Sequence, residues 1–275
     1  MKTKILLRGC MFVFLGVVVL INLYPLLWMI MSSFKTTPEI FSSPWGLPKG
    51  YSFSNFTMAW KTGKIGQYVL NSVKVTGLSV SVMVFFAAMA AYGIVRQRRT
   101  WAKPMLFFFL AGQMIPAQVV IIPLFLEIDM LGLVNSHFAL ILIYVAAGLP
   151  FTVFLLQGFV QGVPQDLYDA AVIDGLGEFG IFSKVTLPLI KPGIAAAVIF
   201  QSLWVWNEFL LALIILRKPQ SKTIPIGLWQ AVVGWVPRYD LALAALTMVS
   251  LPIIVVFAIN QRHFIRGLTE GAVKG

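Results

Sequence analysis

Cysteine, histidine and acidic side chains are all scarce in this chain, which holds one Cys, two His and ten Asp plus Glu among 275 residues. A lone cysteine, Cys10, excludes both an internal disulfide framework and a thiolate-based metal site. His137 and His263 are separated by several apolar runs, so a shared metal or a proton relay between two imidazoles is not expected. No Gly-x-x-x-x-Gly-Lys-Ser/Thr segment occurs, so the chain has no phosphate-cradling loop of its own. Paired nucleophile and base residues are missing from the apolar runs, which argues against an intramembrane enzyme. No cofactor is expected. Internal repeats and low-complexity tracts are absent as well, and residues 1–275 read as a single transmembrane domain.

Apolar surface is what the chain has in excess. Apolar residues make up 59% and charged residues only 11%, and the mean hydropathy is +0.88. A soluble core of this size needs a charged exterior, whereas a bilayer accepts an apolar one. The formal charge of +11 is spread over connections between apolar runs, so lipid headgroups and membrane topology explain it better than nucleic acid does.

A hydrocarbon core about 30 Å thick takes roughly 20 helical residues, because each residue advances about 1.5 Å and every backbone amide must be bonded inside the segment. Six stretches satisfy this, approximately 9–31, 68–95, 104–126, 138–160, 193–216 and 241–259. The first runs uncharged from Gly9 to Phe34, longer than a signal-peptide core and with no small-residue cleavage site after it, and is expected to be a retained anchor. Lys2, Lys4 and Arg8 precede it, and Arg96, Arg98, Arg99 and Lys103 crowd the short connection after the second span. The positive-inside rule then places both segments, and both termini, on the cytoplasmic side of a multi-pass protein. The connection 35–67 is rich in proline and aromatics and is expected on the outer surface, with a short helix near Asn55–Thr62. Trp229, Trp235 and Tyr239 of the connection 217–239 suit an interfacial belt.

One cytoplasmic connection, 161–191, is unlike the others. Val163-Pro-Gln-Asp-Leu-Tyr-Asp-Ala-Ala-Val-Ile-Asp-Gly175 reads as a short helix with marked ends: Pro164 for the first turn, Asp166 and Asp169 at the positive amino end, Gly175 for the left-handed stop. Helical spacing puts Leu167, Ala170, Ala171 and Asp174 along one slim side. Such a helix serves either as a handle for a soluble partner or as an amphipathic link between two spans.

Asp169-Ala-Ala-x-x-Asp174-Gly175, followed by Phe182, Val185, Leu187-Pro188 and Pro192, resembles the EAA signature of binding-protein-dependent ABC import permeases. Asp169 replaces the family's usual Glu, shortening the side chain but keeping its charge. Ser33-Phe-Lys, Ser54-Asn-Phe, Asn71-Ser72, Ala91-Tyr-Gly-Ile-Val-Arg96, Met114-Ile-Pro116, Ile122-Pro-Leu-Phe125, Leu131-Gly-Leu, Trp206-Asn-Glu-Phe209 and the ending Gly271-Ala-Val-Lys-Gly275 are similar to the carbohydrate-uptake branch, specifically the six-span maltose-type subunit. The resemblance implies an all-α integral membrane protein with six transmembrane helices and a cytoplasmic coupling helix between helices 4 and 5. It assigns Asp169, Ala170, Ala171, Asp174 and Gly175 to docking on an ATP-hydrolysing subunit. It further implies a second permease chain, a dimer of ATP-binding subunits, an extracytoplasmic solute-binding protein and a carbohydrate as substrate. Related permeases carry polyols or glycerol phosphates, which leaves those open. The tail from Gln261 is expected to reach the ATPase too.

Two charges fall inside spans, where each costs roughly 2.5–3.5 kcal/mol on insertion scales and so faces protein or water. By helical rise Glu208 lies about 12 Å and Lys74 about 9 Å below the outer surface, close enough in depth to pair. Lys74 has the alternative of snorkelling to the outer headgroups. Glu208, Asn207, Gln201 and Gln113 are candidates for the translocation path, where sugar hydroxyls need partners, or else for a polar clamp between helices. A single embedded carboxylate and the lack of repeats weigh against an ion-coupled secondary transporter.

Overall fold

A computed structural model describes residues 2–96, 102–233 and 237–272, with the backbone alone described at 2–8, 102, 103, 117, 256 and 260–272. Helix is the only regular structure among the described residues. In chain order the helices are α1 (Lys2–Ser32), α2 (Thr37–Ser42), α3 (Ser54–Lys61), α4 (Ile65–Arg96), α5 (Ala102–Gly112), α6 (Ala117–Met130) and α7 (His137–Gln161). There follow α8 (Gln165–Ile173), α9 (Glu178–Ile181), a π-helical turn (Phe182–Thr186), α10 (Leu187–Leu189), α11 (Lys191–Asn207), α12 (Leu210–Ile215), α13 (Ile224–Val233) and α14 (Tyr239–Ala272).

Four of the described helices are long and apolar enough to cross a membrane: the Gly9–Ser32 part of α1, α4, α7 and the Tyr239–Ile259 part of α14. A fifth crossing is available if the pair Glu178–Leu189 and Lys191–Asn207, bent by 74°, counts as one span. Two of the six stretches expected from the sequence are not continuous helices. The stretch 104–126 breaks between Gly112 and Ala117. Pro116 cannot donate to a helical ladder and its ring disfavours the helical conformation at Ile115. The stretch 193–216 breaks at Glu208, whose backbone is extended at ψ 126°. The short surface helix expected near Asn55–Thr62 is α3, one residue earlier. Helix α13, in the connection 217–239, was not foreseen.

Arg98, Arg99, Trp235 and the last three residues lie outside the described residues. So do the side chains of the tail, on which its expected reach to a partner depends.

The chain separates into two compact units. The first comprises Met1–Gly66 and Gly227–Leu251. It is stitched by polar groups from two of the motifs noted above. Asn55 donates its amide to the carbonyls of Ser33 and Lys35, both at 2.9 Å. Lys35, 1% exposed, turns its ammonium to the carbonyls of Ser43 (2.9 Å) and Pro44 (3.2 Å). A buried charge is tolerable only when its donors are occupied, and the 43–44 turn supplies the acceptors. Phe34 gathers Phe53 and Phe56 edge-on and tilted at 5.4 and 5.2 Å. Arg238 forks onto Asp240 through two contacts of 3.0 Å, and Thr37 donates to the same carboxylate. None of the residues in the apolar window of α1 is buried within the chain.

The second unit comprises Gln67–Ile226 and Pro252–Gly275. Its core brings α4, α7 and α11 together through Ala87, Ala91, Leu140, Leu156 and Ala197. Small residues let helices approach closely, which is what compensates for the missing hydrophobic drive between helices in lipid. Gly193 of α11 shows how close: a Cβ there would meet the Phe159 ring of α7 at 2.5 Å. Asn71 and Ser72 of α4 hold the 220–224 segment, Asn71 by donating to the carbonyls of Gln220 and Lys222 and Ser72 by accepting from the Ile224 amide.

Candidate functional site

The segment after α7 folds into the short helix that its sequence marks. Pro164 adopts an extended conformation just before α8, and Gly175 has φ +77°, a left-handed position that costs other residues about 1–2 kcal/mol. Asp166 lies in the first turn, where the helix dipole favours a carboxylate. Gln165 donates to Asp169 at 2.9 Å across one turn.

The two alanines of this helix do not share a face. Ala171 is 4% exposed and packs inward beside Tyr168, also 4% exposed. Asp169, Ala170, Ile173, Asp174 and Gly175 are open to the surroundings, as are Leu167 and Val172. The slim side expected for docking is therefore built around Ala170, while Ala171 lets α8 lie close to the body of its own unit. Phe182, in the second half of the signature-like segment, opens the π-helical turn and is buried against Tyr92 at 5.4 Å.

Within the second unit, α7, α11 and the turn after α5 line a half-open cavity of about 640 Å³. Gln113, Phe151, Phe200, Gln201 and Trp204 line it. Gln201 is 4% exposed and donates to Thr152 Oγ1 at 2.8 Å and to the Gly148 carbonyl at 3.3 Å. Gly148 is needed for this approach, because a Cβ would lie 2.5 Å from Met83 Cε of α4 and 2.9 Å from Gln201 Oε1. Gln113 donates to the Ala147 carbonyl at 2.8 Å. That carbonyl is next to the one that Pro150, inside α7, leaves without its helical donor.

Glu208 does not line this cavity. Its carboxylate closes the break in the fifth stretch, accepting from the amides of Leu211 (2.9 Å) and Ala212 (3.1 Å) at the start of α12 and from the Tyr144 hydroxyl of α7 (2.6 Å). A carboxylate at a helix amino end satisfies orphan donors and meets the favourable end of the dipole. This is the polar clamp weighed from the sequence. Asn207 turns back to the Leu203 carbonyl of its own helix. Lys74 is exposed, and no ion pair joins it to Glu208 among the described residues. The pairing weighed from the sequence against snorkelling of Lys74 is not seen among the described residues, where Glu208 accepts from three other donors.

Sequence reasoning passed over Tyr144, Thr152 and Trp204. Trp204 lines the cavity and meets the Tyr144 ring edge-on at 5.6 Å, so the cavity wall and the Glu208 clamp share one aromatic pair. Tyr and Thr inside an apolar run were the available signal, since each needs a hydrogen-bond partner in lipid. Among the described residues no cluster of three or more His, Cys, Asp or Glu could hold a metal.

Residues 83–270 match the family described as "Binding-protein-dependent transport system inner membrane component". The chain is 39% identical over 263 residues to the probable ABC transporter permease protein YurM of Bacillus subtilis (strain 168), covering 96% of this chain and 87% of that one. It is 37% identical over 260 residues to the diacetylchitobiose uptake system permease protein NgcG of Streptomyces coelicolor, covering 92% and 85%. Its fold is like that in a crystal structure of a bacterial ABC transporter involved in the import of the acidic polysaccharide alginate, with a TM-score of 0.79 at 22% identity over 92% of this chain and 94% of that one. A match across most of the chain, with relatives this similar along nearly all of it, shows that the chain belongs to the family of binding-protein-dependent transport system inner membrane components.

Proposed function

We propose that this chain is one permease subunit of an ABC importer that carries a sugar or oligosaccharide across the inner membrane, driven by ATP hydrolysis on a partner. The observation that carries the reading is the cavity: two amide side chains, Gln113 and Gln201, beside Trp204, Phe151 and Phe200. A carbohydrate offers hydroxyls for amides and C–H faces for aromatic rings, and this lining has both. None of the described lining residues is charged, which favours a neutral sugar or polyol over a glycerol phosphate. The relative NgcG is named for uptake of diacetylchitobiose, in keeping with a carbohydrate. Ion-coupled secondary transport is disfavoured, since Glu208 is occupied as a helix cap.

In this reading the subunit spans the membrane six times with both termini in the cytoplasm, the broken stretches at 112–117 and 208–209 counting as parts of single spans. Helix α8 is the coupling helix. Its open side, with Asp169, Ala170, Asp174 and Gly175, docks on a dimer of ATP-binding subunits, while Ala171 seats it on its own unit. A second permease subunit completes the path, and a solute-binding protein delivers substrate from outside. Gln113 and Gln201 touch the substrate, whereas Asn207 and Glu208 shape the path from behind its wall.

The test is uptake into proteoliposomes that hold the assembled transporter. Trp204→Ala is expected to lower ATP-driven import of the cognate sugar roughly tenfold, the loss of one good aromatic contact, without preventing assembly. Import that is undiminished with Trp204→Ala and Gln201→Ala combined would remove the cavity from the path.

A further inference from the structure

The inner side of α8 rests on a cluster that no part of the transport reading has used. Arg96, the last residue of α4, lies with its guanidinium over the Tyr168 ring of α8 at 5.4 Å from the ring centre. Its Nε stands 3.8 Å from Glu178 Oε1 at the start of α9. Tyr92, one turn back on α4, donates its hydroxyl to Glu178 Oε2 and packs on Phe182 of the π-helical turn. Helix α4 therefore holds both α8 and α9 through one arginine, one tyrosine and one carboxylate.

Among the described residues two buried donor atoms in this cluster, Arg96 Nε and the Tyr168 hydroxyl, have no hydrogen-bond partner. A buried donor without an acceptor is costly. At 3.8 Å the Arg96 Nε to Glu178 contact is an ion pair but not a hydrogen bond. A shift of roughly 1 Å of α9 toward α4 converts one into the other, given that N–H···O bonds lie near 2.9 Å. The contact seen here is therefore about 1 Å short of a hydrogen bond. Midway along α4, between three and four turns before Arg96, stands Met83, whose thioether lies against Gly148 in the cavity wall.

We propose that Arg96, Glu178 and Tyr92 form a latch that passes movement of α8 to α4 and so to the cavity wall, with Arg96 as a positioning residue. The latch is open in the arrangement seen here and closes when the partner displaces α8. This rests on the reading of α8 as the coupling helix. Its warrant is the one cluster in which α4 meets both α8 and α9, together with the continuous helix that leads from it to Met83 and Gly148.

The test uses the assembled transporter in proteoliposomes, in a Cys10→Ser background carrying Ala170→Cys. Two quantities are read: cross-linking of position 170 to the ATP-binding subunit, and ATP hydrolysed per sugar imported. Arg96→Gln and Glu178→Gln are expected to keep the cross-link but to raise ATP consumed per sugar roughly two- to thirtyfold, the range for residues that carry coupling. The double variant is expected to be no worse than the more severe single, because both remove the same contact. Tyr92→Phe, which deletes one hydroxyl, is the milder probe if Arg96→Gln prevents assembly, and it is expected to shift the ratio in the same direction. An unchanged ratio in all variants that cross-link, or effects of the two singles that multiply in the double, overturns the latch. Absence of the cross-link when Arg96, Glu178 and Tyr92 are intact instead overturns the coupling reading beneath it.

Discussion

Glu208 is a charged residue placed where a helix stops, and its three acceptor contacts explain why it is there. Glu208→Gln keeps the shape but replaces one carboxylate oxygen by a donor that faces amide N–H groups or the Tyr144 hydroxyl. The expected cost is about 2 kcal/mol, the scale of a hydrogen bond to a charged group, read as a lower thermal midpoint in detergent. Tyr144→Phe should be less damaging, as it leaves both backbone contacts in place. Asn55→Ala removes two buried hydrogen bonds and strands the carbonyls of Ser33 and Lys35, so its expected loss is about 2–3 kcal/mol by the same measurement. Sequence alone singled out Gln113 and Gln201 as candidates for the translocation path, and both line the cavity. It grouped Glu208 with them, since polarity within a span does not say whether a residue faces a cavity or closes a break. Its pairing with Lys74 rested on estimated depth, which says nothing of which other donors are nearer.

At the scale of elements, the short helix α8 was legible because its ends carry unambiguous chemistry: Pro164 before it and Gly175 after it. Gly175→Ala forces a side chain into φ +77° and is expected to destabilise the end of α8 by about 1 kcal/mol. Faster proteolysis or hydrogen exchange confined to 165–178 would register it. The distribution of Ala170 and Ala171 was less legible, since two adjacent alanines on a short helix give no clue to which faces inward until Tyr168 and Arg96 fix its rotation. Helix breaks were the weakest point. The interruption at Pro116 had a visible cause that hydropathy outvoted, and the one at Glu208 has no Gly or Pro to announce it. Packing glycines leave a similar gap. Gly193→Ala would place a methyl 2.5 Å from the Phe159 ring, and overpacking of this kind costs typically 1–3 kcal/mol, visible as a lowered thermal midpoint.

For the whole molecule, apolar excess and the scarcity of charged residues were enough to indicate a multi-pass membrane protein. Membership of the binding-protein-dependent transport family agrees with this. The number of crossings depends on whether broken stretches act as single spans, a question of side-by-side packing that hydropathy does not address. What joins the scales is the path from α8 through the Arg96 cluster and α4 to a cavity lined by amides and aromatic rings. That path has a function only if α8 stands on the cytoplasmic side in the grip of an ATP-hydrolysing partner. The lone Cys10 makes the direct measurement simple: in a Cys10→Ser background, Ala170→Cys is exposed to a membrane-impermeant maleimide in spheroplasts and in inverted vesicles. The account predicts labelling only in inverted vesicles, and its suppression when the ATP-binding subunit is present. Labelling in intact spheroplasts, or labelling indifferent to the partner, would contradict it.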